Sequence, residues 1–183
     1  MSVSVVFSIS MTTVIAAILA LVGAFIHTRR RSKTGAASTI DTYLVWWLVL
    51  AIGIGSVITS AAHLFDGPAT AEMIGYARGE GGFQFENAMA DLSIGIAGIL
   101  CYRFRGYFWM ATLVVASVQY IGDAGGHIYF WIAQDNTKPA NIGIPLWFDI
   151  ILPVAGLTLY AISYKRHGDA HPGSTQQTEE LQK

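Results

Sequence analysis

The sequence predicts an all-α integral membrane protein, a bundle of five transmembrane helices with its amino terminus outside and its carboxyl terminus in the cytoplasm. Three observations predict it. Of 183 residues, 53% are hydrophobic and only 13% charged, about half the charge of an average soluble domain. The apolar residues fall in five blocks close to the ~20 residues that a helix needs to cross a bilayer core. The basic residues between those blocks fall almost entirely on one side. The formal net charge of −1 excludes a generally basic nucleic-acid binder. The single cysteine excludes an intramolecular disulfide framework and a cysteine-based zinc knuckle.

The first span covers residues 3–27, with no charge before Arg29. It has no basic leading region, and its apolar stretch is longer than the ~7–15 residues of a signal-peptide core, so it reads as a retained span. The second, about 43–64, opens with Trp46 and Trp47 at an interface, where amphipathic rings are favoured. The third, fourth and fifth cover about 83–102, 107–131 and 145–164. Between spans two and three, Asp66-Gly67-Pro68 marks a helix start, predicting a short interfacial helix over about 68–77 that the Gly79, Gly81 and Gly82 cluster ends. Residues 134–143, rich in Asn, Pro and Gly, read as turns. The five spans make one domain, 1–166, and the polar segment 167–183 reads as a disordered cytoplasmic tail.

Nine of the eleven basic residues fall on one side of this arrangement: Arg29, Arg30, Arg31 and Lys33, then Arg103 and Arg105, then Lys165, Arg166 and Lys183. Only Arg78 and Lys138 fall on the other. Basic residues stay in the cytoplasm, which sets the orientation and points to the plasma (inner) membrane. Ala16, Ala20 and Ala24 form a small-residue stripe, as do Ala51 with Gly55 and Ser56 with Ser60. Small residues let helices approach closely in lipid. Such faces serve packing within one chain or a homo-oligomer; the lipid bilayer is the other expected partner, and nucleic acid is not one.

Ionisable residues within a span cost ~2.5–3.5 kcal/mol each at the helix centre, so they face the bundle interior and mark function. Here they are Glu86, Asp91, Asp123 and Asp149, with His63 and His127. At 1.5 Å per residue, Glu86 lies about 4–5 Å from the outer end, His127 and Asp149 about 6 Å, and Asp91 and Asp123 about 12 Å. His63 sits at the outer end of its helix. Four helices therefore deliver acids or imidazoles to the outer half of the membrane. Gln119, Asp123 and His127 lie on one stripe at i, i+4, i+8. Asn87 and Asp91 share another stripe, from which Glu86 is turned by about 140°. Gly122, Gly125 and Gly126 flank the acids, at about 1 kcal/mol each relative to Ala, which predicts a close approach of helix, water or ligand.

Asp and His at i, i+4 have metal-ligand spacing, and Glu86, Asp123, His127 and Asp149 would supply the ligands of a divalent metal ion, with Asp91, Asn87, Gln119 and His63 supporting them or holding protons. The Glu-x-x-His pair of di-iron bundles is absent. The same groups suit a small proton- or cation-coupled transporter. Haem ligation by His63 and His127 is a further alternative, and so is a non-catalytic membrane subunit whose polar groups only hold helices together. The sequence leaves open whether the protein is an enzyme: nucleotide-binding loops, HExxH and nucleophile elbows are missing.

Phe83-Gln84-Phe85-Glu86, Phe108-Trp109-Met110-Ala111-Thr112, Gly122-Asp123-Ala124-Gly125-Gly126-His127-Ile128, Asn136-x-x-Pro139-x-Asn141-x-Gly143 and Asp149-Ile150-x-x-Pro153 together resemble a family of small prokaryotic multi-pass membrane proteins catalogued as a domain of unknown function. The resemblance covers roughly residues 43–164. It implies the fold and no particular activity.

Overall fold

In the computed structural model, the backbone is described for residues 3–31, 39–77 and 81–169. All of the regular structure there is helical: α1 (Val3–Arg31), α2 (Thr39–Trp46), a π-helical segment (Trp47–Ile54), α3 (Gly55–Phe65), α4 (Gly67–Ile74), α5 (Gly81–Leu100), α6 (Tyr107–Gln134), α7 (Pro139–Ile142) and α8 (Ile144–Asp169). Three stretches are long and apolar enough to cross a membrane: Met11–Arg30, Thr39–Phe65 and Pro139–His167. Helices α5 and α6, expected as the third and fourth spans, are 20 and 28 residues long but less apolar. The cause is local: Gln84, Glu86, Asn87 and Asp91 interrupt one, and Gln119, Asp123 and His127 the other.

The exterior is that of a protein solvated by lipid. On α1 the small residues Ala16, Ala20 and Ala24 are buried, whereas Ile18, Leu19 and Phe25 are about half exposed. The large apolar side chains face outward and the small ones inward, the reverse of a soluble helix. Val118 and Ile132 on α6 and Val154 on α8 continue the apolar exterior. Inside, Leu44, Leu48 and Ile52 pack with Trp109, Leu113 and Leu152.

Glycines set two close contacts. A Cβ on Gly98 would lie 2.7 Å from Gly53 Cα and 2.8 Å from Leu48 O, so α5 meets the π segment backbone to backbone. A Cβ on Gly67 would lie 2.8 Å from Gln84 Cβ, which seats α4 on α5. The π segment interrupts what the sequence shows as one apolar run; such insertions concentrate at functional sites.

Three boundaries differ from expectation. Helix α4 is ended by Gly75, whose φ of 98° suits only a residue without Cβ, not by the later glycines: Gly81 and Gly82 begin α5, and Gly79 lies outside the described residues. The segment 134–143 contains one helical turn, α7, because Pro139 can occupy a first helical turn. Helix α8 continues to Asp169, into the segment expected to be disordered; residues 170–183 lie outside the described ones.

Candidate functional site

A cavity of about 710 Å³ opens at the end of the molecule where α4 and α7 lie. Four helices bring ionisable groups to it: His63 from α3, Asp91 from α5, Asp123 and His127 from α6, and Asp149 from α8. Asn87 lines it as well. The expected convergence on one end is thus present, with one exception. Glu86 is exposed and does not line the cavity, because the 140° offset turns it away from the Asp91 face. Gly122 and Gly126 line the cavity, but no neighbouring atom lies within 4 Å of a Cβ built on Gly122 or Gly125. Among the described residues no helix approaches there, contrary to one expectation; Gly126 comes closest, 3.8 Å from the Tyr76 hydroxyl.

Each polar group has a distinct environment. Gln119 Nε2 donates to Asp123 Oδ2 (3.1 Å) and to Asn87 Oδ1 (3.2 Å), tying α6 to α5. Gln84 Oε1 accepts from His63 Nδ1 at 2.6 Å, so that nitrogen carries the proton. The Tyr120 hydroxyl and Ser56 Oγ are 2.6 Å apart. Asp91 is only 4% exposed, and among the described residues its Oδ2 has no hydrogen-bond partner.

His127 is fixed by Asn141, to which the sequence assigns no place in the site. Asn141, fully buried, uses its Nδ2 to donate to His127 O (3.1 Å) and Asn136 O (3.0 Å). Its Oδ1 therefore accepts, from His127 Nδ1 at 2.8 Å. The imidazole is held with Nδ1 protonated and Nε2 turned toward Asp149 Oδ2, 3.7 Å away. Asn136 in turn donates to Ile74 O (2.8 Å), and Lys138 Nζ to Glu72 O (2.7 Å), clamping the α6–α8 connection onto α4. The packing of Tyr76 on Phe130, with ring centroids 4.6 Å apart, closes the same rim. Burial, with Asp123 and Asp149 nearby, raises the Tyr76 hydroxyl above its ordinary pKa.

Three carboxylates thus share a cavity whose lining, among the described residues, includes neither lysine nor arginine. Of the three only Asp91 is buried, and a buried carboxylate is too costly to leave ionised and unpaired; Asp123 and Asp149 are partly exposed to the cavity. Metal ligation is less well served. Among the described residues no group of three His, Cys, Asp or Glu side chains is arranged to hold a metal ion.

A second, smaller cluster lies at the other end, where α6 begins. Ser163 Oγ donates to Asp41 Oδ1, and His167 Nε2 stands 3.5 Å from Asp41 Oδ2. Arg105 stacks over Trp109 beside it. His167 opens the segment that the sequence assigns to a disordered tail; its i, i+4 spacing from Ser163 is the signal that places both on one face of α8.

Fold and site together define an all-helical membrane protein with an acidic cavity at one end. More particularly, the chain belongs to DUF6790, a family of unknown function whose model matches residues 10–169. The match includes most of α1, which the resemblance read from sequence had left out. No curated protein and no solved structure matches the chain.

Proposed function

We propose that this is a five-span plasma-membrane protein, amino terminus outside, whose outward-opening cavity binds a small solute together with a proton or cation, as a coupled carrier does. The observation that carries the reading is the unbalanced lining: Asp91, Asp123 and Asp149 in one cavity where the described lining residues include histidines but neither lysine nor arginine. The volume of 710 Å³ lies within the ~300–1,000 Å³ of small-molecule sites and is generous for a bare ion. The clustering of Arg29, Arg103, Arg105 and Arg166 in the segments remote from the cavity supports the orientation. The π segment against Gly98 supports a moving helix, since it gives span two a region of altered hydrogen bonding beneath the site.

A divalent ion is the second reading. It is favoured by His127, whose Nε2 is freed by the Asn141 bond and faces Asp149, the orientation that a supported ligand histidine adopts. Proteoliposomes loaded with a pH-sensitive dye and challenged with choline, phenethylamine, Na⁺ and Mn²⁺ separate the readings. A solute-driven internal pH change above that of empty liposomes, abolished in Asp123→Asn, is expected of the carrier. Mn²⁺ binding lost in His127→Ala, with no pH change for any solute, would replace it by the metal reading.

A further inference from the structure

Resting on the solute-binding reading, we infer that the solute is a small organic amine, bound as its ammonium ion against Asp91 with its apolar body on the aromatic side of the cavity. Among the three acids, Asp91 is the one with a fully buried oxygen that, among the described residues, has no hydrogen-bond partner. Asp123 is held by Gln119, and Asp149 is partly exposed, with His127 Nε2 3.7 Å away. Asp91 Oδ2 is buried with nothing to accept from, although its side chain lines an open cavity. A buried acceptor without a donor is costly, and a charged donor brought by a ligand relieves that cost most fully.

The rest of the lining argues for an organic cation over an inorganic one. Most of the cavity wall is apolar or aromatic, with Tyr76, Phe130 and Phe148 among its residues. A hydrated metal ion gains nothing from such a wall, and among the described residues no three His, Cys, Asp or Glu side chains are grouped to hold a bare one. An ammonium on a hydrophobic body gains twice: the body is removed from water, and its charge is attracted to ring faces. An anion would meet three carboxylates and no fixed cation. A neutral polar solute would leave Asp91 Oδ2 as it is unless it carried a donor.

The test uses the full chain in detergent at neutral pH with phenethylamine, its neutral isostere phenethyl alcohol, phenylacetate, and Zn²⁺ alone, each read by calorimetry and thermal shift. Phenethylamine is expected to bind saturably, at least about 30-fold more tightly than the alcohol, the usual scale for a buried charge partner. Asp91→Asn is expected to bring the amine to the level of the alcohol, whereas Glu86→Gln leaves it unchanged. The comparison of amine with alcohol in the wild-type protein stands even if Asp91→Asn fails to fold. Equal binding of amine and alcohol overturns the amine assignment and leaves the cavity a solute site. Binding of none of the three organic probes overturns both, and Zn²⁺ binding without amine binding overturns both in favour of a metal.

Discussion

Asn141 makes three hydrogen bonds from a fully buried position, and its replacement by alanine separates their contributions from those of the surrounding packing. The change removes the acceptor of His127 Nδ1 and the donor to the carbonyls of His127 and Asn136. At about 1 kcal/mol net per hydrogen bond, the loss is roughly 3 kcal/mol, and more where a bereaved carbonyl finds no water. For a chain of this size that corresponds to a fall in melting temperature of roughly 6–12 °C, at about 2–4 °C per kcal/mol. The second readout is the imidazole itself. With its Nδ1 partner gone, His127 is no longer confined to one tautomer, and ¹⁵N chemical shifts of labelled histidine should show Nδ1 and Nε2 protonation exchanging. Asn141→Asp keeps the acceptor while losing the donor, so it should retain the Nδ1–H tautomer and still destabilise. A melting temperature within 1–2 °C of wild type, on the same ~2–4 °C scale, together with an unchanged tautomer in Asn141→Ala, refutes the reasoning.

Gly98→Ala should destabilise by about 1–3 kcal/mol, because its Cβ meets the Gly53 and Leu48 backbones, and Gly125→Ala should stabilise by about 0.5–1 kcal/mol, because it meets nothing; paired melting curves check both signs. Trp46→Phe removes the bond from Trp46 Nε1 to His27 Nδ1 (3.0 Å) and should cost about 1 kcal/mol in the same assay. Glu86→Gln should change stability by less than about 0.5 kcal/mol, since its side chain is exposed and outside the cavity.

The large features were legible because lipid imposes simple rules. A ~20-residue apolar block has few alternatives to a helix, and Ala16, Ala20 and Ala24 could only mark a contact face. The stripe from Gln119 through Asp123 to His127 follows from helical periodicity alone, and the structure adds the Gln119–Asp123 bond. Depth, by contrast, carries no direction: Glu86 was assigned to the ligand set from its height, although its angle already turned it from Asp91. Asn141 was passed over because an asparagine in a Pro- and Gly-containing segment reads as surface, and only its tertiary contact with His127 buries it. Tyr76, which the sequence places at the end of the interfacial helix, reaches the cavity rim only through its contact with Phe130. The π segment leaves no mark in a uniformly apolar run, where no polar residue reports the change of register.

The carrier reading stands on the proposed opening of the acidic cavity to the outside of the cell. A cysteine at Gly126, where the cavity leaves room for a side chain, introduced with Cys101→Ala, reports on it through membrane-impermeant methanethiosulfonates applied to intact cells. Labelling from outside is expected, with the trimethylammonium reagent reacting at least about ten times faster than the sulfonate reagent, as carboxylates that concentrate cations require. Labelling only after the cytoplasmic face is exposed, or equal rates for the two reagents, contradicts it.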